Sequence, residues 1–122
     1  MTTKETANRL IELCNTGQFE KAQDDLYHPD AISIEPDNND GMGSVKGIEA
    51  IKTKGKKWDE MVEEFHGAKI SEPIVADNHF AFTHTMDVTL KGQGRVKMEE
   101  ISVYEIRDGK IVKEQFFYSN SQ

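Results

Sequence analysis

Residues 79–118, HFAFTHTMDVTLKGQGRVKMEEISVYEIRDGKIVKEQFFY, decide the fold. Apolar and polar residues alternate through 79–90, 95–106 and 110–118, and neighbouring side chains of a strand point to opposite faces, so each run reads as a β-strand. Gly92-Gln93-Gly94 and Asp108-Gly109 divide them. Asp108-Gly109 is the stronger hairpin signal, because both central residues of a tight turn need positive φ. Just upstream, 68–76 alternates in the same way and stops at Asp77-Asn78, while Pro73 marks a bulge or an edge because it has no N–H for a ladder. These runs predict a meander of antiparallel hairpins.

Towards the N-terminus the period changes from two to helical. Ile48, Ile51, Trp58, Met61, Val62 and Phe65 keep that spacing over about five turns and predict the longest helix, interrupted by Gly55. Before it, Ala31-Ile32-Ser33-Ile34-Glu35 reads as a strand ended by Pro36, and DNNDGMGS as a turn-rich loop. Asp37, Asn39 and Asp40 in that loop lack the spacing and the closing Glu of a calcium loop. Ala7, Leu10, Ile11 and Cys14 form the stripe of a first helix that stops at Asn15-Thr16-Gly17. Phe19, Ala22 and Leu26 form that of a second, ending near His28-Pro29. Helices first and a meander afterwards predict an α+β fold: about three helices on one face of a curved, mostly antiparallel sheet.

Length and charge narrow the function classes. At 122 residues the chain is expected to form one domain over 1–122. A net charge of −7 repels phosphate backbones and anionic bilayers, so neither nucleic acid nor membrane is an expected partner. Lys52, Lys54, Lys56 and Lys57 read as a solvated helix face. Cys14, the single cysteine, allows no intrachain disulfide and reads as a packing residue. The N-terminal ten residues lack a signal-peptide pattern and no apolar run spans a bilayer, so the cytoplasm is expected.

Strand alternation then assigns faces. Phe80, Phe82, Met86, Val88 and Leu90 share a side with His84; Val96, Met98, Tyr104 and Ile106 share one with Glu100 and Ser102; Phe116 and Tyr118 share one with Glu114. The first strand adds Glu35 and Ser33 if its Ala31 side faces inward. A charge is costly in apolar surroundings unless it is paired or wet, so a lined pocket would account for these interruptions. The plainer alternative places Glu100 and Glu114 at the rim or in ion pairs, and makes His84 a hydrogen-bonded core residue. No phosphate-binding glycine fingerprint, zinc cysteine pair or nucleophile elbow occurs.

Several motifs resemble the SnoaL-like branch of the nuclear transport factor 2-like superfamily over essentially the whole chain. They are Asn15-Thr16-Gly17-Gln18-Phe19, Tyr27-His28-Pro29-Asp30-Ala31, Lys46-Gly47-Ile48-Glu49-Ala50-Ile51, Asp108-Gly109-Lys110-Ile111-Val112 and Phe116-Phe117-Tyr118. The resemblance implies a cone-shaped roll with a deep pocket and, commonly, dimerisation through the outer sheet face. It also implies one positional match to ketosteroid isomerases, whose basic Asp precedes a proline where this chain has Glu35-Pro36. Leu10 and Ser102 stand where those enzymes place their oxyanion donors. Gln115-Phe116 replaces the His-Trp pair often seen on the last strand of polyketide cyclases.

The expected function is therefore a cofactor-independent isomerase, cyclase or lyase, living or relic, acting on a small, mostly apolar molecule. Glu35 or Glu114 would remove a proton and His84 or Tyr104 would steady the charge. Trp58, Phe80, Phe82, Met86, Met98, Glu100, Ser102, Tyr104, Phe116 and Tyr118 would bind the ligand. A second expectation is a non-catalytic dimeric binding module, paired through the nearly uncharged strip of Ala81, Thr83, Thr85, Thr89, Ile101, Val103 and Phe117. A weaker one is a divalent cation on His84, Glu100 and Glu114; no cofactor is otherwise expected.

Overall fold

Thr2 opens the first helix, α1 (Thr3–Asn15), with a reciprocal cap: its hydroxyl accepts from the Glu5 N–H at 3.1 Å, and the Glu5 carboxylate accepts from the Thr2 N–H at 2.7 Å. The computed structural model describes residues 1–36 and 43–119. Gly17, at φ 73°, turns the chain out of α1 at the predicted stop and into α2 (Phe19–Leu26). The chain then enters β1 (Tyr27–Ile34) directly. This strand begins earlier than the alternation suggested, because its pairing with the last strand carries an irregularity between Tyr27 and Ile32 that accommodates Pro29.

A two-residue strand, β2 (Val45–Lys46), lies within what the sequence suggested was loop and helix start; it adds to β1 through Ile32 and Ser33. Helix α3 (Ile48–Met61) follows. It stops four residues short of the predicted end, since Val62–Phe65 belong to β3 (Val62–Ile70). Long-range pairing overrides the helical period here: Val62 lies opposite Leu90 and Phe65 opposite Val88. The predicted 68–76 strand is likewise two pieces, β3 and β4 (Ile74–Ala76), broken around Pro73. Both pieces pair with one edge of β5 (His79–Leu90). Ser71 bridges the break, its N–H donating to Thr83 O at 3.0 Å and its Oγ accepting from the Thr83 N–H at 2.9 Å.

The remaining strands, β6 (Gly94–Arg107) and β7 (Lys110–Phe117), form the predicted hairpins. Asp108 and Gly109 both have positive φ, at 52° and 77°, as the tight turn requires. The seven strands make an open, mostly antiparallel sheet in the order β2-β1-β7-β6-β5-β3, with β4 beside β5; β1 and β7 run parallel. Irregularities in the β1–β7, β3–β5 and β6–β7 ladders help to curve it.

All three helices lie on the sheet's concave side, where Leu10, Leu13, Leu26, Ile51 and Ile111 are buried. Each such side chain contributes roughly 1.5–3 kcal/mol through burial. Phe80 joins this core, stacked on Tyr104 with ring centres 4.8 Å apart. Residues of all three helices also face a cavity on this side of the sheet. No helix among the described residues is long and apolar enough to cross a membrane.

Candidate functional site

Strand register lines up the polar residues in rows across the inner sheet face. Ser33, Glu114, Tyr104 and Phe80 are successive neighbours across β1, β7, β6 and β5. The next row is Phe116, Ser102 and Phe82; the one beyond pairs Glu100 with His84 and Ile70; a further one pairs Met98 with Met86 and Ala68. The condition set for β1 is met: Ala31, Ser33 and Glu35 are buried, whereas Ile32 is exposed.

Between these rows and the helices lies a cavity of about 1310 Å³. Glu35, His84 and Glu114 line it, together with Trp58, Phe82, Met86, Met98, Glu100, Ser102, Tyr104, Phe116 and Tyr118. Phe80 departs from the expectation. It sits where α1 closes on β5, and its ring packs in the core beneath Tyr104 instead of lining the wall.

The polar groups fall into two clusters. In the deeper one, Glu114 Oε2 accepts from Ser33 Oγ at 2.7 Å, and Tyr27 Oη donates to Glu114 Oε1. Ser33 Oγ accepts in turn from Lys54 Nζ at 2.5 Å. The same ammonium donates to Glu35 Oε2 at 2.8 Å, and Tyr118 Oη donates to Glu35 Oε1 at 2.5 Å. One hydrogen-bonded chain therefore runs Glu35–Lys54–Ser33–Glu114. The Phe116 ring flanks the ammonium, its centre 5.5 Å from Nζ.

Burial raises the Glu114 carboxyl above the ordinary 4.5; the hydrogen bonds from Tyr27 and Ser33 and the charge of Lys54 pull the other way. Burial, with Glu114 second, also pushes the Tyr27 and Tyr104 phenols well above 10, so both remain hydrogen-bond donors at neutral pH. The second cluster is His84 and Glu100, facing each other across the β5–β6 ladder. Their closest atoms, Nδ1 and Oε1, are 3.7 Å apart, too far for a direct hydrogen bond.

The metal expectation fails on placement. Glu114 lies opposite Tyr104, four residues along β6 from Glu100, and among the described residues no three His, Cys, Asp or Glu side chains gather as a ligand set. The loop residues Asp37, Asn39 and Asp40 lie outside the described residues.

Lys54 overturns the reading of its cluster as a solvated face, because its side chain is only 10% exposed. The signal was present: Ile51, Lys54 and Trp58 stand at i, i+3 and i+7 on the inward stripe of α3. Tyr27 was also missed, because it lies at the α2–β1 junction, where no period assigns a face.

Comparison with known proteins fits this geometry. Residues 1–118 match the family model of the SnoaL-like domain. A crystal structure from Mesorhizobium loti, provisionally named a SnoaL-like polyketide cyclase, is 34% identical over 97% of this chain and 100% of its own, with a TM-score of 0.89. A Xanthomonas campestris protein of unknown function with a cystatin-like fold is 22% identical, covering 98% of this chain and 92% of its own, at 0.83. TerC, co-crystallised with polyporic acid, is 18% identical over 96% and 91%, at 0.77. No protein of curated function matches the chain.

Proposed function

The chain belongs to the SnoaL-like domain family, and on that premise we propose that its cavity binds a small, mostly apolar molecule and catalyses a cofactor-independent isomerisation, cyclisation or elimination. The observation that carries this reading is the Glu35–Lys54–Ser33–Glu114 chain, of which Glu35, Lys54 and Glu114 line a large cavity that also presents aromatic, methionine and aliphatic side chains. Such a site gives an apolar body a dry wall and gives its reacting end a carboxylate base. Glu35 or Glu114 removes the proton, while His84 or Tyr104 faces the same space and steadies the charge that develops. The named relatives support the substrate class by analogy, one through its polyketide cyclase name and one through the polyporic acid in its crystal.

Trp58 is the only tryptophan and lines the cavity, so its fluorescence reports binding directly. Aromatic and polyketide-like compounds are expected to shift it, and a hit that is turned over should lose most of its turnover in the Glu35→Gln, Glu114→Gln double variant. Undiminished turnover in that variant refutes the roles given to the carboxylates.

A specific surface feature favours a dimeric assembly as well. On the outer sheet face Ile74, Ile101 and Phe117 are exposed by 75%, 49% and 49%, beside Ala81, Thr83 and Val103. This strip fits self-association about a twofold axis. If the cavity binds ligands without turning them over, the dimeric binding module is the reading that remains.

A further inference from the structure

Among the described residues Lys54 is the one cation inside the deeper cluster, and the proton-transfer reading above gives it no chemical part. Two of its three N–H donors go to Glu35 and Ser33. Its third can serve a group entering beside the Phe116 ring, which lines the same cavity. We propose that Lys54 is a catalytic residue whose ammonium stabilises the oxyanion formed when Glu35 takes a proton from a neutral carbonyl substrate.

This role rests on the small-molecule reading of the cavity and follows from the movement of charge. When a Glu35 oxygen takes an α-proton, the C–H electron pair becomes the enolate double bond and the carbonyl π pair moves onto oxygen. Negative charge leaves Glu35 and appears on the substrate. A cation already 2.8 Å from Glu35 can exchange one partner for the other with little movement. Where the substrate carries a β,γ double bond the pair is shared as a dienolate, and return of the proton from Glu35 to Cγ shifts the double bond to α,β, restores the carbonyl and the ion pair, and leaves an isomer. His84 is held instead two rows along the sheet from Glu114, opposite Glu100. The substrate class is neutral because the buried end of the site holds two carboxyl groups, Glu35 and Glu114, beside the single ammonium of Lys54, which is already paired with Glu35, so an added anion would meet an excess of negative charge.

Two probes test it: 2-naphthol, whose oxygen ionises as an enolate's would, and 2-methoxynaphthalene, whose oxygen does not. Glu35→Gln imitates the protonated base and frees Lys54 from its counter-ion. It should therefore bind 2-naphthol about tenfold tighter than the unaltered protein, the size of one charge-assisted hydrogen bond, and should show the absorption band of the ionised naphthol. Adding Lys54→Met to that variant should remove both the gain and the band. Binding of the methyl ether within about twofold in all three proteins reports an intact cavity. Ether binding with no naphthol gain in Glu35→Gln, or with the ionised band surviving in the double variant, overturns the role of Lys54 alone. Failure of the unaltered protein to bind either probe overturns it together with the small-molecule reading.

Discussion

Glu114 shows how a single buried group converts position into measurable behaviour. Its carboxyl is raised above 4.5 in the fold, so between that value and its folded value the native state holds a proton that the unfolded chain releases. Stability contributed by this residue consequently falls as pH rises through that window. Urea unfolding from pH 4 to pH 8 should show the unaltered protein losing ground relative to Glu114→Gln, which has no such titration; parallel profiles would contradict the assignment. Cys14 gives a second expected outcome. Burial, helped by Glu114, pushes its thiol up to about 12, so at pH 8 only about one molecule in 10⁴ carries the thiolate. A disulfide reagent should label it slowly in native buffer and quickly in urea. The Lys54–Glu35 pair supplies a third, since the two side chains are only 10% and 8% exposed. Lys54→Met should cost about 3–5 kcal/mol by leaving a buried carboxylate without its cation, and the double change with Glu35→Gln should cost less.

At the scale of elements, the two glycines that interrupt regular patterns have opposite roles. Gly109 sits at φ 77° in the β6–β7 turn, where an L side chain is strained; Gly109→Ala should destabilise by roughly 1–2 kcal/mol. Gly55 lies inside α3 with ordinary helical φ, and an added Cβ there meets nothing within 4 Å. Gly55→Ala should stabilise by about 0.5–1 kcal/mol, read as a shift in denaturation midpoint. Both residues were legible from sequence, because turn chemistry and helix propensity are local. The end of α3 was not. Met61, Val62 and Phe65 continue a helical stripe, but β5 is twelve residues long and offers its edge as far as Leu90, so Val62 onward pairs there. Phe65, 62% exposed, shows that its apparent place on the stripe carried no burial.

For the whole molecule, the inner face is committed to the core and cavity, while the outer face carries the exposed strip around Ile101 and Phe117. The proposed dimer would bury that strip. Light scattering at micromolar concentration is expected to give twice the chain mass, and Ile101→Glu with Phe117→Glu should halve it while the circular dichroism spectrum is retained. A monomer before mutation would remove the dimer and leave the cavity argument untouched.

The sequence by itself determined what depends on neighbours along the chain: helices before a meander, the Asp108-Gly109 hairpin, and the alternation that put His84, Glu100 and Glu114 each on the apolar face of its strand, with Glu35 joining them only if the Ala31 side of the first strand faced inward. Only the tertiary structure decided which of these groups meet. Register placed Ser33 beside Glu114 and His84 beside Glu100, dividing four polar residues into two clusters and separating the supposed metal ligands. It also carried Lys54, twenty-one residues from Ser33 and sixty from Glu114, into the space between two carboxylates. Periodicity reports which side of its own element a residue occupies; it says nothing of what stands opposite. That depends on strand register and helix docking, which are fixed by burial and backbone pairing between distant parts of the chain.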